Sequence, residues 1–489
     1  MSESLPVAVI GAGPVGLAAA VHLLERGETP IIFESGAEVG TNIRQWQHVR
    51  MFSPWEFTVD AASVRLLEQH GWQMPPTQEL PTGRDLLEKY LLPLAAMPEV
   101  SDHLNLNARI VAVSRRNIDK MKDTGRDAAP FVLHVVYADG REEIVEARAV
   151  IDASGTWHKP NPLGSGGLPA LGEIRHQEHI FYGIPDVRGS QQERYAGKRV
   201  MVVGSGHSAL NALLDLAQLK QNHREMVIYW VMRGTNLQRV YGSADDGLPA
   251  RGQLGSRMKS YVQAGTVQVV SPFRITSLTA TQSSVVVSGE TADGSQTIQV
   301  DEIIAATGAR PDLDMLRELR LELDPALEST RRLGPMIDPN IHSCGTVRPH
   351  GEAELRHPEK DFYIVGMKSY GRAPTFLLAT GYEQVRSVVA ALVGDWDAAR
   401  KVQLNLPETG VCSTDLAAEG SACCATPSAS AQPALLSIGT IPTIQNGVLQ
   451  AVAQPIALKT AVRDCGCDDD CCDDGVRSTS CGCGTDCCS

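Results

Sequence analysis

Gly11, Gly13 and Gly16 follow the apolar run Val7–Ile10 in the spacing GxGxxG and open a second apolar stretch, Leu17–Leu24. Strand, tight turn, helix is an arrangement in which bare backbone N–H groups and the positive end of a helix meet a pyrophosphate, the glycines allowing close approach. The next apolar run, Pro30–Phe33, ends at Glu34, 23 residues after Gly11, where a carboxylate can accept both hydroxyl hydrogens of an adenosine ribose. A glycine-rich turn of some other α/β fold is the alternative. The pattern recurs: the run Lys198–Val203 leads into Gly204, Gly206 and Ala209, spaced GxGxxA around Ser208, and the helical segment Leu210–Leu219 follows. Two such units imply two dinucleotides. Here the following strand, Val227–Met232, ends without an acid and is succeeded by Arg233, with Arg239 six residues on. A carboxylate there would repel a 2′-phosphate and a guanidinium would bind it in forked geometry, so NADPH is favoured over NADH. Two solvated surface arginines are the competing reading.

A different chemistry is written at the other end. Cys465, Cys467, Cys471 and Cys472 form CGCxxxCC, and Cys481, Cys483, Cys487 and Cys488 repeat it sixteen residues later. Thiolates prefer soft ions such as Cu(I), Zn(II) or trivalent arsenic, and a bound cation would relieve the repulsion between these thiolates and the neighbouring Asp carboxylates. Idle thiols in an acidic tail, or a disulfide-bonded tail, are the alternatives, the second disfavoured in a reducing cytosol. Cys412, Cys423 and Cys424 could extend the cluster. The first 343 residues contain no cysteine, so a Cys pair embedded there cannot carry redox chemistry.

The elements that must position these groups come from a chain of 489 residues, enough for two to four domains at roughly 100–200 residues each. A net charge of −13 argues against a protein-wide grip on nucleic acid or on an anionic membrane surface. Leu5–Leu24 is the one stretch that could pass for a membrane span or signal peptide. Its interrupting Gly and Pro residues, and the absence of a basic segment before it, read instead as buried strand, turn and helix, with cytoplasmic residence as the expectation. Ala149–Gly155 and Asp301–Gly308 are each an apolar strand ending in a small-residue turn, suited to carrying the chain between nucleotide-binding domains. The predicted fold is therefore α/β with two Rossmann-like dinucleotide-binding domains, the second inserted in the first; two tandem domains are the alternative. The expected divisions are 1–160 and 301–396 for the first domain, 161–300 for the insertion, 397–460 for a linker with a short ordered patch, and 461–489 for a flexible Cys-rich tail. Phe131–Tyr137 and Val285–Gly289 read as antiparallel strands capping the two units, and Phe362–Gly366 as a last strand before a helical segment, Thr375–Leu392, that packs near the first cofactor.

These features together resemble the flavoproteins with two dinucleotide-binding domains, and among them the flavin-dependent monooxygenases of class B, over roughly residues 5–395. Gly40–Trp46, Met51–Trp55 and Ile184–Val187 are similar to segments of the monooxygenase-type flavoproteins that accompany arsenic-resistance genes. The resemblance implies FAD on Gly11, Gly13, Gly16 and Glu34, with Arg44, Gly308 and Gly366 among its contacts, and NADPH on Gly204, Gly206, Ser208, Arg233 and Arg239. Trp46, His48 and Arg50 could also line the flavin or else pack a domain seam. It further implies hydride transfer to the flavin, capture of O₂ as a C4a-(hydro)peroxide, and oxygen transfer to a small-molecule or metalloid nucleophile, with no side-chain catalyst strictly required. Two departures from the family pattern are present. Of the fingerprint FxGxxxHxxx(W/F), the segment Ala170–Ile180 keeps only Gly172 and His176, leaving His176 as the single candidate near the nicotinamide, or else a loop residue. Where disulfide-reductase relatives place an Asp after the last strand, Gly366 is followed by Met367 and Lys368. The rival functions are a reductase passing electrons to the tail cysteines or to a bound ion, and a non-catalytic metal-sequestering protein.

Overall fold

The computed structural model describes residues 5–241, 249–341, 347–374 and 376–404, the side chains of 238, 239 and 249–253 excepted. All twelve cysteines lie outside the described residues, as do the expected linker, patch and tail.

Runs of Val, Ile and Ala with no polar alternation form strands buried on both faces, which is the signature of a parallel sheet covered by helices. With the alternating runs of the antiparallel sheets, sixteen strands are present among the described residues. In chain order they are β1 (Val7–Ile10), β2 (Pro30–Phe33), β3 (Leu104–Asn105), β4 (Ala108–Arg115), β5 (Phe131–Tyr137), β6 (Glu142–Ala147), β7 (Ala149–Asp152) and β8 (Ile180–Tyr182). They continue with β9 (Arg199–Val203), β10 (Val227–Val231), β11 (Gln268–Val270), β12 (Arg274–Ala280), β13 (Val285–Thr291), β14 (Gly294–Val300), β15 (Glu302–Ala305) and β16 (Phe362–Ile364). One parallel sheet has the order β16-β7-β1-β2-β3 and a second the order β11-β10-β9-β15-β8. The antiparallel sheets β4-β5-β6 and β12-β13-β14 stand beside them. Two Rossmann-like cores in an α/β fold are therefore present, and every strand of the second parallel sheet lies in sequence between β7 and β16 of the first.

Three helices shape the two glycine turns: α1 (Pro14–Glu25), α2 (His207–Leu219) and α3 (Leu378–Leu392). α1 starts earlier than the apolar stretch suggests because Pro14 occupies its first turn, where a missing N–H costs nothing. Its residues from Val15 to Leu23 are buried, and α3 packs across it so closely that a Cβ on Gly381 would lie 2.6 Å from Val15 Cγ2. Each fully buried Val or Leu in this layer contributes about 1.5–3 kcal/mol, so the turn ahead of α1 is held by a densely packed part of the molecule. No helix among the described residues is long and apolar enough to cross a membrane.

Candidate functional site

The two glycine turns are built alike. Gly11 (φ +97°) and Gly204 (φ +134°) leave β1 and β9 in backbone conformations that L side chains avoid. A Cβ on either would press into a neighbouring strand end: 2.9 Å from the Ala153 carbonyl oxygen for Gly11, and too close to the Ala306 carbonyl for Gly204. At the next glycine the situation reverses. A Cβ on Gly13 or on Gly206 would meet nothing within 4 Å, and both residues cap their helices with no side-chain hydrogen bond and no acid in the first turn. The third position closes again: a Cβ on Gly16 would overlap the Gly11 carbonyl, and Ala209 is fully buried. Each turn is thus a cradle, rigid at its ends and open in the middle, facing the positive end of a helix. Both cradles fit a pyrophosphate.

Glu34 is buried beneath the first cradle. It accepts hydrogen bonds from the Ala12 N–H at 2.9 Å through one oxygen and from the Gly36 N–H at 2.9 Å through the other. A carboxylate has about four acceptor positions, so this pair of bonds fixes its orientation and leaves room for ribose hydroxyls. At the second cradle, Arg233 follows β10, the strand beside β9, and is exposed; the stretch 232–239 after that strand contains no acid. Arg239 falls in the short helix Leu237–Tyr241, its side chain outside the described residues. Ser208 sits in the first turn of α2. The Arg44 guanidinium holds Glu38 in a two-pronged pair at 2.8 Å and 2.8 Å, an interaction that lowers the Glu38 carboxyl and raises the Arg44 guanidinium relative to their ordinary values. Arg50 donates to the Leu80 carbonyl, and Trp46 packs on Gly83. His176 precedes the short turn Gln177–His179, donates its backbone N–H to the Gly172 carbonyl and lies 3.8 Å from Glu178. The His179 N–H donates back to the His176 carbonyl, and Leu171, five residues earlier, is tied to β12 by two backbone hydrogen bonds.

The two crossings run side by side: the Asn161 N–H donates to the Gly308 carbonyl at 2.9 Å, and the Thr307 hydroxyl donates to the Asn161 carbonyl at 2.5 Å. Elsewhere along this boundary the loop after the first helix region meets the second cradle. Phe52 contacts His207, the first residue of α2, edge-on at 5.2 Å, and Trp157 Nε1 donates to Gln45 Oε1 at 2.9 Å. The two units therefore meet along a seam that runs by the crossings and reaches the second cradle at His207.

Sequence reasoning missed one polar cluster beside it. Lys368 Nζ lies 2.6 Å from Asp152 Oδ2 and 3.0 Å from Ser154 Oγ, and the ion pair is wholly buried. Asp152 ends β7, and Ser154 also donates to it at 2.6 Å through its hydroxyl. Gly11 rests on Ala153 and Ser154, so this cluster underlies the first cradle directly. Gly366 (φ +68°), leading into the turn that carries Lys368, is pinned by Gln384, whose Oε1 accepts its N–H at 2.7 Å. Among the described residues, no group of three or more His, Cys, Asp or Glu side chains could hold a metal.

The sequence profile of the pyridine nucleotide-disulphide oxidoreductases matches residues 8–343, more than two thirds of the chain and both cradles. The chain belongs to that family. Membership carries the oxidoreductase class with it, together with FAD and a pyridine nucleotide as the two dinucleotides. Among named relatives, a human putative dimethylaniline monooxygenase [N-oxide-forming] 6 is 24% identical over 259 residues, 53% of this chain and 44% of the relative, so the chain spans less than half of that protein's length. The bacillithiol disulfide reductase of Bacillus cereus superposes with a TM-score of 0.59 at 18% identity, covering 82% of this chain and all of that one. The cadaverine monooxygenase DfoA of Erwinia amylovora, solved with FAD, superposes with a TM-score of 0.57 at 12% identity, covering 84% of this chain and all of that one. At such identities the two structures share the family fold. They also show that it hosts both disulfide reduction and oxygenation.

Proposed function

We propose that this member of the family is an NADPH-dependent flavin monooxygenase acting on a soft nucleophile, with residues 1–160 and 301–396 holding FAD and residues 161–300 holding NADPH. The observation that carries the reading is the presence of two open cradles in a region, residues 8–343, free of cysteine. Disulfide exchange needs an attacking thiolate, and that region contains none. O₂ is the remaining acceptor that needs no side-chain relay. When bound, FAD supplies acceptance of a hydride and, once reduced, reaction with oxygen. The chain's own part is to cradle both pyrophosphates, hold Glu34 on the adenosine ribose and receive the 2′-phosphate on Arg233 and Arg239.

The test is coupling. With isotopically labelled oxygen, a thioether, amine or trivalent arsenical that is a substrate should take up label, and H₂O₂ released per NADPH oxidised should fall as it is added. Undiminished H₂O₂ with every nucleophile would sink the monooxygenase reading. A second reading is favoured by the doubled CGCxxxCC motif, namely that electrons leave through the tail cysteines or a soft ion bound there. Anaerobic NADPH turnover with a disulfide or metal acceptor, lost on deleting residues 460–489, would establish it. A role in arsenic or metal resistance follows under either reading if the tail binds trivalent arsenic or a soft metal.

Replacing Arg233 and Arg239 together with Ala should cut the ratio of kcat/KM for NADPH over NADH by roughly tenfold or more, the scale of one lost charge-assisted contact. An unchanged ratio would show that neither residue meets the 2′-phosphate.

A further inference from the structure

Arg233 does not stand alone at the end of β10. Its Nη1 donates to the Ser165 carbonyl at 3.0 Å, and the side chain is exposed. Ser165 belongs to a loop, 163–170, whose two ends are tied to one buried side chain. Glu173 accepts the Leu163 N–H at 2.9 Å and the Ala170 N–H at 2.7 Å on its two oxygens, and Tyr182 adds its hydroxyl at 2.6 Å. Within the loop Gly164 is closed in, a Cβ there overlapping the Leu168 carbonyl, whereas Gly166 and Gly167 have nothing within 4 Å of where a Cβ would stand. The Gly166 N–H finds no acceptor among the described residues. A loop cinched at its base by a buried carboxylate, and seated at its tip on a cationic side chain, is held in one place while its glycines stay bare. The second cradle is adjacent, because the Gly204 N–H donates to the Val231 carbonyl two residues before Arg233.

We propose that the loop 163–170 is the second wall of the 2′-phosphate site, the Gly166 N–H donating to the phosphate opposite Arg233, with Ser165 and Glu173 as positioning residues. This deepens the NADPH reading and rests on it. The Gly166 amide paired with a guanidinium suits a compact dianion, and the open space at Gly166 admits one without displacing a side chain.

The probes are 2′,5′-ADP, which carries the phosphate in question, and 5′-AMP, which lacks it, titrated by calorimetry into the full-length FAD-loaded protein. Gly166→Pro removes the N–H and Gly166→Ala keeps it. The expected result is a loss of roughly tenfold or more in affinity for 2′,5′-ADP with Gly166→Pro alone, 5′-AMP binding being unchanged in both variants and thereby reporting an intact fold. Glu173→Gln should weaken 2′,5′-ADP in the same selective way. If Gly166→Pro binds 2′,5′-ADP as the unaltered protein does, while Arg233→Ala does not, the loop is no part of the site and the NADPH reading survives. If the unaltered protein itself binds both nucleotides equally, that reading fails and the loop proposal falls with it. Equal weakening of both nucleotides by Gly166→Pro would also overturn the proposal.

Discussion

Protein carrying Gly13→Val should purify folded and without flavin. Gly13 has φ −80°, a conformation Val adopts without strain, and its missing Cβ faces open space. The chain has no reason to reject the larger residue. A pyrophosphate does, because the branched side chain would stand between it and the N-terminus of α1. A loss of about 3 kcal/mol or more is expected, which is a factor of roughly a hundred in Kd, enough to strip the cofactor during purification. Gly16→Val is the informative contrast. Its Cβ would overlap the Gly11 carbonyl, so this variant should fail as a fold. The measurement is flavin absorbance per mole of protein beside a thermal unfolding curve. Gly13→Val with normal flavin content would mean that the first cradle does not hold FAD, and nothing else proposed for the site would stand.

How far the site was legible depended on whether its parts are local in sequence. Each cradle is a run of about a dozen residues whose meaning lies in the spacing of Gly11, Gly13 and Gly16, or of Gly204, Gly206 and Ala209, and strands such as β1 and β7 declare themselves by unbroken apolar runs. Glu34 stood out because it lies at a fixed offset on the next strand, while its bonds to Ala12 and Gly36, which shape the turn, have no signal in that offset. For Arg44, type and place suggested a flavin contact, while its two-pronged pair with Glu38, six residues upstream, has no signal in the spacing. His176 drew notice through a remnant of a fingerprint, whereas Glu173 three residues earlier ties a loop whose ends no spacing rule links to it. Lys368 was visible as a residue where relatives have an acid. Its partner is 216 positions away, and only the pairing of β7 with β16 brings the two together.

That pair carries the second large effect expected of a single substitution. Lys368→Met should unfold at markedly lower urea concentration than the unaltered protein and should lose flavin before it unfolds. Removing the ammonium leaves the Asp152 carboxylate buried with Ser154 as its remaining side-chain donor, and stranding one member of a buried pair costs about 3–5 kcal/mol. Asp152→Asn should cost a similar amount from the other side. In the double variant, Lys368→Met with Asp152→Asn, no charge is stranded, so much of the loss should return; contacting residues are where additivity fails. The order of events follows from position. Ser154 and Ala153 form the surface on which Gly11 turns, so slackening there opens the first cradle while the sheets are still intact. Flavin fluorescence, quenched in the holoprotein and bright when free, should therefore rise at lower urea than the far-ultraviolet signal falls. Coincident transitions would confine the pair to stability alone, and single variants as stable as the unaltered protein would show that burial of the pair does not set the energetics of the cluster.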